Sequence, residues 1–116
     1  MATLKVVGRR TGKPVRLPVV IADQNGERYL VSMLGEDTNW VRNVRADGNR
    51  AVLVSGDRTP VHLEEVDVPK RAPIIKRYCQ IAPSGRVHIP VDPAAPVVAF
   101  EAVSAQYPVF RIVPRG

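Results

Sequence analysis

Cysteine is almost absent from this chain: Cys79 is the only one in 116 residues. One thiol can neither close an internal disulfide nor supply a cysteine cluster for a metal. That fits a reducing, cytoplasmic setting. Aromatic residues make up 5% of the chain and none falls in its basic opening stretch, so a nucleic-acid partner read by base stacking is not expected. There is no apolar run of the roughly 18 residues that a spanning helix needs. The opening MATLKVVGRR also lacks the apolar core of a signal peptide, so no leader is expected. Acids are missing too: none precedes Asp23, while Lys5, Arg9, Arg10, Lys13 and Arg16 all do.

The length suits one compact domain spanning residues 1–116, large enough to bury a core without staples. The net charge of +6 favours anionic partners such as a phosphorylated small molecule or, peripherally, a membrane surface. The plain alternative is a solvated basic end that aids solubility. A monomer and a homodimer fit the sequence equally well.

Leu4–Val7 reads as a short strand, Gly8–Pro14 as a turn, and Val15–Ala22 as an apolar strand. Asp23–Glu27 is a hairpin turn around Asn25-Gly26, with Arg28–Met33 as the return strand and Leu34–Thr38 as a loop. Asn39–Arg45 reads as a helix capped by Asp37 or Thr38 and ended by Gly48, with Trp40 and Val44 sharing one face and Arg42 and Arg45 another. Ala51–Ser55 and Pro60–Val68 are strands flanking Gly56-Asp57-Arg58. A helix is expected over Lys70–Ile81, with Ile74, Ile75, Tyr78 and Ile81 on one side and Pro73 in or before its first turn. A second helix is expected over Pro93–Gln106, striped by Ala94, Val97, Val98 and Ala102, before a last strand over Tyr107–Val113. Antiparallel hairpins with few helices point to a mainly β, α+β chain forming a small barrel, not a doubly wound sheet.

Two segments could carry chemistry. In the first, Gly8-Arg9-Arg10-Thr11-Gly12-Lys13-Pro14-Val15-Arg16, glycines permit a tight turn whose N–H groups can cradle an oxyanion. Arg10, Lys13 and Arg16 add cationic donors. The order is not that of a P-loop, and a plain basic turn explains the residues about as well. In the second, Ser32-Met33-Leu34-Gly35-Glu36-Asp37-Thr38-Asn39-Trp40, a strand ends, a glycine loop follows, and a helix N-terminus faces whatever binds there. Trp40 could pack on a ring, although core packing is its commoner use. His62 and His88 have no metal-ligand spacing to another ligand type and read as structural, so no metal is expected.

These segments carry a resemblance. GRRTGKPVRLP resembles the basic turn of the deazaflavin-dependent nitroreductases, commonly G-R-[RK]-[ST]-G-x-x-R-x-x-P, and VSMLGEDTNWVRNVRADG resembles their strand–glycine loop–W-x-x-N helix motif. The tail from Arg71 through Pro108-Val109-Phe110-Arg111 is also similar, so the likeness covers nearly the whole chain. It implies a split β-barrel of the FMN-binding-protein type with a few short helices. It also implies an oxidoreductase that uses coenzyme F420, an anionic deazaflavin, to pass a hydride to a quinone, a nitro compound or a similar small acceptor. FMN is a less favoured cofactor. By position, Arg10, Lys13 and Arg16 would face the cofactor's acidic tail, while Ser32, Met33, Leu34 and Gly35 would line its ring. Trp40 and Asn43 would fix the neighbouring helix. Tyr78 and Tyr107 are proton-donor candidates by residue type alone, and buried amphipathic tyrosines are the plainer reading of both. Many relatives carry an N-terminal extension over the acceptor pocket; with the first strand starting almost at Met1, that lid is expected to be short or absent. A non-catalytic binder of a fatty acid or other small ligand on the same fold is the alternative.

Overall fold

The computed structural model describes residues 2–115. Seven strands form one antiparallel sheet: β1 (Ala2–Val7), β2 (Pro14–Val19), β3 (Ala22–Gln24), β4 (Glu27–Val31), β5 (Arg50–Ser55), β6 (Asp57–Glu65) and β7 (Val109–Pro114). Their order across the sheet is β2-β1-β5-β6-β7-β4-β3. Strands β2 and β3 thus lie at opposite ends, yet only Val20 and Ile21 separate them in sequence. A link that short spans at most about 11 Å. The sheet must therefore curl until its two edges nearly meet, leaving a seam between β2 and the β3–β4 hairpin.

Side-chain alternation sends one set of residues inside the curl. Leu4, Val6, Leu53, Leu63, Phe110 and Leu30 are all at most 2% exposed and form the inner core. Helix α1 (Asn39–Ala46) closes over it with Val41, Val44 and Trp40, whose ring centroid lies 5.5 Å from that of Phe110. Among the described residues, the opposite face is covered at the β3–β4–β7 end. There Ala22, Val31 and Val109 pack under α2 (Ala72–Ile81), α3 (Pro83–His88) and α4 (Val97–Glu101).

Most expected elements are present, and the differences have physical causes. The run expected as one strand over 15–22 breaks at Val20–Ile21, because the chain crosses the seam there. The hairpin at Asn25-Gly26 forms as expected; both residues have positive φ, 51° and 79°, which is the two-residue turn that matches strand twist. Strand β6 starts at Asp57, so its turn is tighter than expected, and it pairs with β5 from Ser55↔Asp57 to Arg50↔His62. The segment 93–106 is not one helix. It holds the short α4 and a single 3₁₀ turn, Ser104–Gln106. Its expected stripe faces outward, with Val98 65% exposed, while Phe100 is the residue buried from that region. Helix α3 was not expected at all.

Candidate active site

The seam opens into a cleft of about 240 Å³. Its β2 wall is Leu17, Pro18 and Val19, continued by Val20; its far wall is Leu30, Val31, Met33 and Leu34. Thr38 and Trp40 from the start of α1 and Tyr78 from α2 complete it. No charged side chain lines this space among the described residues. An uncharged, largely apolar lining of this kind suits the ring of a heterocyclic ligand. The volume lies below the usual range for sites that swallow a whole drug-sized ligand, so a charged tail would stay outside.

The loop that forms one lip is held from below. Ser32 Oγ and Thr38 Oγ1 each lie 2.8 Å from the Gly35 carbonyl oxygen and 2.9 Å from one another. Gly35 adopts φ +96°, which favours glycine, and its amide donates to the Ser32 carbonyl. Thr38 stands at the N-cap position as expected, but its hydroxyl serves the loop and makes no capping bond. The first N–H groups of α1 are therefore left without a side-chain cap beside the cleft.

Arg45 anchors the same loop from outside. Its guanidinium meets Glu65 through two donors at 3.0 and 2.7 Å, and Glu36 at 2.9 Å. Hydrogen bonding from Arg45 holds the Glu36 carboxyl below its ordinary range, and the two carboxylates push the guanidinium pKa up in turn. Glu65 also accepts from Arg71, whose buried side chain donates to the Val66, Ser104 and Tyr107 carbonyls.

Tyr78 reaches the cleft from α2. It is 5% exposed, and its hydroxyl donates to the Met33 thioether sulfur at 3.3 Å. Burial raises its pKa, so the phenol keeps its proton throughout the neutral range. Tyr107 is placed differently: its hydroxyl donates to the His88 carbonyl at 3.0 Å within the outer core, away from the cleft lining.

The basic turn packs against α1. The Arg9 amide and guanidinium both donate to Asn43 Oδ1, and Asn43 itself is buried. Asn43 sits three residues beyond Trp40, about 4.5 Å along the helix axis, so the turn lies within one helical turn of the cleft wall. Arg10, Lys13 and Arg16 are exposed, and no ion pair engages them among the described residues. Arg16 directly precedes Leu17 of the cleft wall.

Of the residues singled out in the sequence, Met33, Leu34, Trp40 and Tyr78 meet in the cleft. Ser32 and Gly35 hold its lip, Asn43 holds the basic turn, and Arg10, Lys13 and Arg16 stand outside. Sequence reasoning missed the β2 wall and Leu30–Val31. The only available signal was an apolar run ending where the chain crosses between sheet edges.

A family model described as F420H(2)-dependent quinone reductase matches residues 1–101. Solved structures with this fold include an F420-H2 dependent reductase, with TM-score 0.62 and 19% identity, covering 96% of this chain and 91% of that one. A conserved hypothetical protein from Mycobacterium tuberculosis gives TM-score 0.65 and 18% identity, covering 99% and 72%. A FAD-binding protein from Mesorhizobium loti gives 0.62 and 16%, covering 99% and 80%. At these identities the likeness establishes the fold, a split β-barrel. A comparison with curated proteins finds no match.

Proposed function

The chain belongs to the F420H(2)-dependent quinone reductase family, and on that premise we propose that it reduces a small electron-poor acceptor, a quinone or a nitro compound, in the cleft between β2 and β4. The observation that carries this reading is an uncharged, apolar cleft with one exposed cation, Arg16, on the strand that forms its wall and two more, Arg10 and Lys13, on the turn leading into that strand. The cleft takes a tricyclic ring. An anionic tail leaving the ring at Leu17 would follow β2 past Arg16 towards Lys13 and Arg10, meeting charge that is not already spent.

When bound there, the reduced deazaflavin supplies a hydride. The protein's own work is orientation and proton delivery. Trp40 and Val19 set the width of the slot, and Leu34 stands at its mouth, 62% exposed. Tyr78 gives its phenolic proton to the acceptor's oxygen as charge develops there, and solvent returns it. Hydride plus proton converts a quinone to its hydroquinone, or a nitro group to a nitroso group and water, so electrons and atoms balance. The uncapped amides at the start of α1 favour negative charge beside the ring.

Fluorescence titration with F420 at low and high salt tests the reading, because charge pairing with the tail weakens as salt rises. The expected result is salt-sensitive binding. No detectable binding at tens of micromolar cofactor overturns it, and tighter binding of FMN would replace the cofactor. The uncharged lining also suits a fatty acid or a similar apolar anion. Native mass spectrometry finding a tightly held lipid that F420 cannot displace would favour that non-catalytic reading.

A further inference from the structure

We propose that Gly85 is a positioning residue for the reduction: its missing side chain makes the space that seats the Tyr78 ring at the cleft with the hydroxyl presented to the acceptor. The inference rests on the reading of Tyr78 as proton donor.

A Cβ at Gly85 would lie 2.5 Å from Tyr78 Cε2, 3.1 Å from Cδ2 and 3.4 Å from Cζ. Contacts of 2.5 Å do not occur between real side chains, so the ring would have to move. Gly85 has no backbone reason to be glycine. Gly12, Gly26, Gly35, Gly48 and Gly56 all hold positive φ, whereas Gly85 sits inside α3 with helical geometry. Glycine in a helix is costly relative to alanine. What position 85 gains in return is the close approach of an aromatic face.

The ring lies between two neighbours with different hold on it. Gly85 backs it closely, while on the cleft side the hydroxyl donates to the Met33 sulfur, a weak acceptor, and to no other group among the described residues. The phenol is thus buried, backed by α3 and weakly engaged in front. An acceptor oxygen entering the cleft offers a better partner than the thioether and can take the O–H without breaking a strong bond. A methyl group at position 85 would drive the ring forward, narrowing the slot and turning the hydroxyl off line.

The test combines Gly85→Ala, Tyr78→Phe, Tyr78→Leu and the doubles. Tyr78→Phe should lower kcat by about a hundredfold, the usual scale for removing a general acid, with F420 affinity changed less than twofold. Gly85→Ala should lower kcat about tenfold and raise KM for the acceptor. Its kcat effect should vanish in the Tyr78→Phe background, since two changes acting through one group are not additive. In Gly85→Ala the Tyr78 ionisation, read as an ultraviolet titration against Tyr78→Phe, should fall back towards the ordinary phenol range as the ring leaves its burial. Should Gly85→Ala fold poorly, urea unfolding of Tyr78→Leu with and without Gly85→Ala decides the same point. With the ring gone, alanine at 85 should be neutral or stabilising. An equal loss of stability in both backgrounds, or an unchanged kcat and Tyr78 titration in Gly85→Ala, overturns the proposal. If Tyr78→Phe itself turns over normally, the proton-donor reading fails, and with it the catalytic half of this one.

Discussion

Arg9 and Asn43, thirty-four positions apart, are joined twice: the Arg9 amide donates to Asn43 Oδ1 at 3.1 Å and its Nη1 donates to the same oxygen at 2.8 Å. One buried carbonyl thereby fixes both the backbone and the side chain of the basic turn. Asn43 acts on any anionic tail through the turn it holds. Asn43→Ala takes the shared acceptor from the Arg9 amide and guanidinium and should cost about 1–3 kcal/mol, the scale for hydrogen bonds that involve a charged group. It should also weaken F420 binding several-fold, because Arg10 and Lys13 lose their fixed position. Urea unfolding and fluorescence titration measure the two effects separately.

The free cations of the turn and of β2 should contribute through charge alone. Arg10→Ala, Lys13→Ala and Arg16→Ala are each expected to lower F420 affinity several-fold at low salt, with little effect on folding. At high salt the variants and the parent should converge, since exposed charge pairs are screened over roughly 10 Å at 0.1 M. Titrations at two ionic strengths check this. A loss that persists at high salt would mean these side chains do more than attract.

Trp40 is the only tryptophan, and it forms part of the cleft wall. Its emission should therefore report occupancy directly. Addition of F420 or of an aromatic acceptor should quench it saturably, with the midpoint matching that of cofactor fluorescence. Trp40→Phe should abolish the signal and cost stability through lost contact with Phe110, on the order of 1–2 kcal/mol for a large-to-smaller core change.

How much of this was legible in the sequence depends on how local the cause was. The Asn25-Gly26 hairpin was readable because two adjacent residues that tolerate positive φ prescribe the turn by themselves. Helix α1 was readable from the spacing of Trp40 and Val44 between a cap at Asp37 or Thr38 and a stop at Gly48. The cleft was only half readable. Met33, Leu34 and Trp40 lie in one motif, but Leu17 and Val19 join them only because the sheet curls, a fact encoded in strand order and invisible in any single segment. Tyr78 could be named by residue type, but its place at the cleft depends on how α2 docks on β3 and on Gly85 behind it. The segment 93–106 misled because Val97 and Val98 suggest a buried stripe, whereas Pro93 and Pro96 interrupt the helix and leave Phe100 as the anchor.

Arg71 is the most heavily committed buried cation, giving one hydrogen bond each to the Val66, Ser104 and Tyr107 carbonyls and one to Glu65. Arg71→Met removes all of these donors at once. The expected loss is about 3–5 kcal/mol, the scale for breaking a buried ionic group, with the Tyr107 end of β7 loosened. Denaturant unfolding and amide exchange at Val109 test it.

Glu36 has a folded pKa below its ordinary value of 4.5, chiefly because Arg45 donates to it. A depressed carboxylate stabilises the fold above its unfolded pKa, and that contribution is lost as pH falls through the lower folded value. The Leu34–Asp37 lip should thus hold at neutral pH and loosen only in acid below about 4.5. Glu36→Gln should flatten this part of the acid response while changing neutral stability by less than about 1 kcal/mol, as for a partly exposed pair.

Pro14 and Pro18 stand opposite Val7 and Thr3 in the β1–β2 ladder. Prolines have no amide hydrogen, so these must be positions whose donors would point away from β1, out over the seam. Of the three such positions on β2, only Arg16 keeps its N–H. A strand stripped in this way cannot zip itself onto the far edge of the sheet, nor easily recruit a stray strand from another molecule. The barrel is kept ajar by its own covalent structure, so the slot is ready before anything enters it.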